Sequence, residues 1–142
     1  MKRISKVVAV LCMSFLVTVL GWSSSSDLQQ NSATPKTITK LADGTTVINT
    51  TVVGKDIVGY AGAVPLEIGV KQGKVVYVKA LSNKETPGFF RKASRILNSW
   101  NGKTVKEASK LHVDAVTGAT FSSTAIIKNV QAGLKAMPKG KR

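Results

Sequence analysis

Cysteine and histidine each occur once in the 142 residues, as Cys12 and His112. Cys12 lies in an N-terminal apolar run. If that run is removed, the rest of the chain holds no thiol. Internal disulfides, thiolate metal sites, iron–sulfur clusters and a CxxCH haem attachment are then excluded. A single imidazole cannot build a zinc site from several His or Cys ligands. A Ser-His-Asp arrangement would have to run through His112 alone. Acidic residues are also few: seven stand against 21 Lys and Arg, for a formal charge of +14. Setting aside the three basic residues of the leader still leaves +11, which favours anionic surfaces or partners. Aromatics are 6% and the lysines are scattered, so nucleic acid is not expected as a partner. A basic solvated surface resting near anionic lipid headgroups fits better.

What is present begins with a leader. "MKRISK" is a basic segment, and Val7 to Trp22 is an uncharged apolar run of 16 residues. "SSSSDLQQNSATPK" then follows, small and polar. This is the order of a secretory signal peptide, and the run is short of the ~20 residues that span a bilayer comfortably. The expected organisation is a signal peptide or N-terminal membrane anchor at 1–22, a flexible linker at 23–36, a folded domain at 37–138 and a basic tail at 139–142. Only five apolar residues precede Cys12, which therefore reads as part of the run and not as a lipidation site. The expected location is outside the cytoplasm, in a periplasm or on the outer face of the cytoplasmic membrane.

The first half of the domain reads as antiparallel β. "TITKL" and "TTVINTTVV" flank Ala42-Asp43-Gly44, a hairpin signal. "DIVGYAGAVPLEIGV" carries glycines and Pro65 that point to short strands joined by tight turns. "KQGK" is another turn, leading into the strand "VVYVKAL". After Pro87-Gly88 the spacing becomes helical. Phe89, Phe90, Ala93, Ile96, Leu97 and Trp100 predict a helix ended by Asn101-Gly102, with Phe89, Phe90 and Trp100 packed in the core. Lys103 to Leu111 reads as either a short helix or a loop. A last helix is predicted from about Ser122 to Met137, burying Ile126, Val130, Leu134 and Met137 and stopped by Pro138. Strands first and helices second predict an α+β fold, a single small domain with helices packed on an antiparallel sheet.

The segment "VDAVTGATFSS" places four hydroxyls at the entrance of that last helix. Three uses are open on physical grounds. A helix N-terminus has free N–H groups and the positive end of the dipole, which suit a phosphate. Gly118 and Ala119 let backbone approach a ligand closely, and a hydroxyl can bond a phosphate or be esterified to it. Alternatively, Ser122 or Ser123 simply caps the helix.

"VDAVTGATFSSTAIIKNVQAGL" closely resembles the FMN-binding domain family. That family includes subunits of sodium-pumping NADH:quinone oxidoreductase and of Rnf-type electron-transport complexes, and small exported flavoproteins. Its pattern is an aspartate followed, after a few residues, by Ser/Thr-Gly-Ala-Ser/Thr, here Asp114, Thr117, Gly118, Ala119 and Thr120. The resemblance implies that Thr120 carries FMN through a phosphoester. It also implies that Asp114 belongs to the motif read by a separate flavin transferase, which uses FAD as donor and Mg²⁺. Glu85-Thr86-Pro87-Gly88 matches a family segment that lies beside the flavin ring. "GYAGAVPLEIGV" looks like the family's Gly-Tyr-x-Gly region, with Tyr60 and Gly62 in it. Ser122 and Ser123 would meet the helix start or phosphate oxygens. Glu85 has two readings: with nearby lysines it tunes the charged reduced flavin, or it is a carboxylate at a helix start before Pro87.

The expected function is an exported electron-transfer flavoprotein with FMN on Thr120. It would relay electrons from a membrane-bound oxidoreductase to an extracytoplasmic acceptor, more a carrier than an enzyme with its own substrate. The cofactor would supply the redox chemistry that the side chains lack. The alternatives are a reductase binding FMN noncovalently, and a flavin-free basic module of the cell envelope whose hydroxyls act only as caps. No catalytic side chain and no metal ligand is expected.

Overall fold

A computed structural model describes Lys36–Pro138. The leader expected at 1–22, nearly all of the linker at 23–36 and the basic tail at 139–142 lie outside the described residues. The described chain is α+β: strands β1 (Ile38–Lys40), β2 (Thr46–Asn49), β3 (Leu66–Lys71) and β4 (Lys74–Ala80) come first. Helices α1 (Pro87–Ala93), α2 (Val105–Lys110) and α3 (Thr120–Ala136) follow, with a 3-10 helix over Ser94–Trp100 directly after α1. The sheet is an antiparallel meander in the order β1-β2-β3-β4.

Turn chemistry sets the register. β1 and β2 pair as Lys40↔Thr46, closed by a five-residue loop around Asp43-Gly44. The Asp43 carboxylate accepts from the Thr45 N–H (3.0 Å) and hydroxyl (2.8 Å), and Gly44 takes φ 83°. β3 and β4 join through Gln72 and Gly73, both at positive φ (51° and 74°), the two-residue hairpin whose twist matches its strands. A bulge between Gly69 and Val70 lets Val70, Val75 and Val78 all face the core while Val76 is exposed.

One face of the sheet is apolar and carries the helices. Ile48, Leu66, Ile68, Val70, Val75 and Val78 form one side of the core; Ala125, Ile126, Val130 and Leu134 of α3 and Trp100 complete it. The stripe expected on the last helix is observed, with Met137 half-buried just after the helix end. α3 comes close to the sheet at Gly133, where a Cβ would stand 2.8 Å from Ile68 Cδ1 and 2.9 Å from Thr50 Cγ2. The segment after Trp100 covers the free edge of β4: Gly102 N–H donates to Val75 O (2.7 Å) and Val75 N–H to Lys103 O (2.8 Å).

Several expectations are corrected. The helix predicted from Phe89 to Trp100 is α-helical only to Ala93 and tightens to 3-10 from there. Phe89 is not a core residue but is exposed, and Phe90 is half-buried; Trp100 is fully buried as expected. Of the two readings of Lys103 to Leu111, the short helix is the one observed, started by a capping box between Thr104 and Glu107. The last helix begins at Thr120, two residues before the expected start. The stretch from Thr51 to Pro65 is mostly irregular and holds a single isolated bridge, Val58↔Ala63.

Candidate functional site

The hydroxyl segment enters α3 through Gly118, at φ 77°, a left-handed conformation that favours glycine. Ala119 is buried and precedes the first helical residue, so no side chain caps the helix. The two serines expected as caps are engaged elsewhere. Ser123 Oγ accepts from the Val116 N–H (3.0 Å) and donates to Ala119 O (2.8 Å) and Thr120 O (3.2 Å). This stitches the entering loop to the first turn. The Ser122 hydroxyl donates to Glu85. Both serines are buried, whereas the Thr120 side chain is exposed. The four hydroxyls therefore differ by position: Ser122 and Ser123 are structural, Thr117 is exposed on the loop, and Thr120 stands free at an uncapped helix start.

Thr120 lines an open cleft of about 290 Å³, together with Tyr60, Phe89, Gly118, Ala119, Phe121 and Ser122. Its wall is aromatic and exposed: Tyr60 and Phe121 are each 68% accessible and Phe89 is 46%. The Tyr60 ring centroid stands 6.4 Å from those of both Phe89 and Phe121, tilted at 53° and 47°. Three large exposed rings around one cleft are unusual for a surface that faces water alone. Lys92, in the last turn of α1, reaches the rim: its Nζ lies 3.9 Å from where a Cβ on Gly118 would stand.

Glu85 sits behind this cleft and does not line it. It is 6% exposed. Its carboxylate accepts from the backbone N–H groups of Ala61 (2.7 Å) and Tyr60 (3.2 Å) and from the Ser122 hydroxyl. Burial pushes the Glu85 carboxyl up. The Ser122 hydroxyl and the Ala61, Tyr60 and Gly62 amides favour the anion more strongly, so its pKa stays below the usual carboxylate range. The hydrogen bonds of this carboxylate run to the Tyr60 loop and to α3, and no side chain caps α1. Thr86, Pro87 and Gly88 form the exposed start of α1 and deliver Phe89 to the cleft.

Asp114 is displaced from the cleft. It is exposed beside His112, with Nε2 to Oδ1 at 3.4 Å, on a groove shared with Thr124, Ile127, Lys128 and Gln131. Of the residues expected from the sequence, the fold gathers Tyr60, Gly118, Ala119, Thr120 and Ser122 into one cleft, with Glu85 directly behind. Asp114 belongs to the separate groove, Thr117 is exposed on the loop before Gly118, and Ser123 is buried in the first turn of α3. Among the described residues no cluster of His, Cys, Asp or Glu could hold a metal ion.

The sequence reading missed Phe121 and assigned Phe89 to the core. A signal was available: each aromatic directly follows one of the two short motifs, Glu-Thr-Pro-Gly and Thr-Gly-Ala-Thr.

A small α+β domain with an aromatic cleft at an uncapped helix start has the form of a cofactor-binding domain. The model of the FMN-binding domain family matches residues 59–135, more than half of the chain. The chain belongs to the FMN-binding domain family, and FMN is its cofactor. No curated protein and no solved structure matches it. The residues fit the group: an apolar aromatic wall suits a flat ring, and a helix start without a cap suits a phosphate.

Proposed function

We propose that this protein is an exported electron-transfer flavoprotein that carries FMN covalently through a phosphoester on Thr120. The observation behind this reading is the state of the four hydroxyls. Thr120 alone combines exposure, a place in the aromatic cleft and the first position of an uncapped helix. Bound FMN would supply reversible electron exchange. The protein's share is positional. The α3 amides and the Lys92 ammonium would favour the phosphate, and Tyr60, Phe89 and Phe121 would hold the ring.

The attachment follows a balanced transfer. The Thr120 oxygen attacks the FMN phosphorus of FAD, the pyrophosphate bond breaks, AMP leaves, and the hydroxyl proton is lost. A separate Mg²⁺-dependent flavin transferase performs it, with Asp114 as part of the surface it reads. The exposure of Asp114 and Thr120 supports that role, since an enzyme must reach both. A covalent tether also suits an extracytoplasmic protein, because it keeps the cofactor at high effective concentration where a free one would be diluted. The electron donor is a membrane-bound oxidoreductase, and the acceptor is another carrier or terminal acceptor outside the membrane. The strong positive charge supports a resting place near anionic headgroups.

The test is intact mass and in-gel flavin fluorescence after denaturation, on protein from a host with an active transferase. Covalent FMN adds the mass of FMN less water and leaves a fluorescent band, and Thr120→Ala abolishes both. Native yellow protein that loses its colour on denaturation would favour noncovalent FMN. Apo mass and no colour in either state would overturn the reading.

A further inference from the structure

Glu85 does more than occupy a buried position. Tyr60 and Ala61 present successive backbone N–H groups to its carboxylate, the arrangement by which a backbone loop binds an anion. The loop closes on itself as the Gly59 N–H donates to Gly62 O at 2.7 Å. Gly59 packs directly on the carboxylate: a Cβ there would fall 2.8 Å from Oε1, 2.9 Å from Cδ and 3.0 Å from Oε2. From the other side the Ser122 hydroxyl, one helical position from Phe121, donates to the same group. The Tyr60 ring itself is 68% exposed and has no buried apolar seat. Its placement 6.4 Å from Phe89 and Phe121 must therefore come mainly from its backbone.

We propose that Glu85 is a positioning residue: its carboxylate latches the Gly59–Gly62 loop to the first turn of α3 and so holds the Tyr60 ring over the cleft beside Phe121. Glu85 acts on the cofactor through Tyr60 and not by contact, since it does not line the cleft. The latch joins one wall of the cleft to the element that carries Thr120. Its effect on the flavin rests on the cofactor site proposed above; the latch itself does not.

The experiment has two arms on the full chain. In flavin-free protein made without the transferase, NMR follows the amides of residues 60 and 61 and the ring contacts of Tyr60. Glu85→Gln should speed amide exchange there by at least about tenfold and abolish the Tyr60–Phe121 ring contact, while the amides of β3 and α3 keep their protection. Unchanged exchange and ring contacts would overturn the latch. Gly59→Ala, which drives a methyl into the carboxylate, gives the same readout if Glu85→Gln fails to fold. In flavin-loaded protein verified by mass, a ring held against the flavin quenches its fluorescence. Tyr60→Ala should raise the yield several-fold, and Glu85→Gln should reproduce most of that rise. The double variant should match Tyr60→Ala alone. Additive effects, or a Glu85→Gln protein quenched like the wild type, would overturn the route through Tyr60. Protein that takes up no flavin removes the proposed function and leaves the first arm to decide the latch.

Discussion

The Ser122 hydroxyl donates to the Glu85 carboxylate across 37 positions of sequence. That bond ties the first turn of α3, where Thr120 stands, to the segment before α1 and, through Glu85, to the Tyr60 loop. The candidate site is therefore an assembly of three chain segments around one buried anion.

Ser122→Ala should show the strength of that junction. It removes one donor to a buried carboxylate and should cost about 1–3 kcal/mol. Because the folded Glu85 pKa lies below its ordinary value of 4.5, its contribution is fully present above that value and is lost as pH falls through the folded one. Without the hydroxyl the folded pKa rises toward 4.5, so acid unfolding begins at higher pH. Circular dichroism during acid titration of both proteins measures the shift, and coincident curves would count against this role for Ser122.

Thr120→Ala should be nearly silent for stability. The side chain is exposed and does not cap α3, and alanine is the better helix former. Thermal unfolding of flavin-free protein should change by no more than about 0.5 kcal/mol. A loss well beyond that would mean the hydroxyl has a structural duty.

Thr104→Ala should destabilise α2 by about 1 kcal/mol through loss of its cap. The Thr104 Oγ1 accepts from the Glu107 N–H at 3.2 Å, and the Glu107 carboxylate accepts from the Thr104 N–H at 3.0 Å. The Glu107 pKa, held down first by the residue-104 N–H and then by the Thr104 hydroxyl, should rise part of the way toward the usual glutamate range, since alanine keeps the N–H and loses the hydroxyl. Amide exchange confined to Val105–Lys110 would mark the effect as local.

Tyr77 should titrate late. Burial and the 2.8 Å bond to Glu67 Oε1 push its pKa up to about 12. The fold thus favours the neutral phenol: this contribution is intact below pH ~10 and disappears as pH rises toward 12. In a Tyr60→Phe background, ultraviolet absorbance reads Tyr77 alone, and Glu67→Gln should lower the midpoint. A midpoint near 10 in the parent protein would remove the Glu67 effect.

Local signals carried much of the architecture. Asp43-Gly44 and Gln72-Gly73 announce their turns because few residues tolerate those backbone angles. The α3 stripe of Ile126, Val130 and Leu134 is readable because helical period and burial coincide. The capping box at Thr104 and Glu107 was equally local and settles the nature of the following segment as a helix. The spacing from Phe89 to Trp100 fits α and 3-10 geometry alike over so few residues, and packing on β4 accompanies the change at Ser94.

The sequence by itself determined the α+β order, the turns and the motif that names the family, because each depends on neighbours within a few positions. Only the tertiary structure decided which hydroxyl is free and which aromatics face water. Ser122 looks like a helix cap until α3 is found to begin at Thr120, which puts Ser122 inside the first turn with its hydroxyl donating to Glu85, far away in sequence. Phe89 looks like core until α1 is docked with that ring on the cleft side. Both outcomes depend on contacts between distant segments, and short-range spacing holds no record of them.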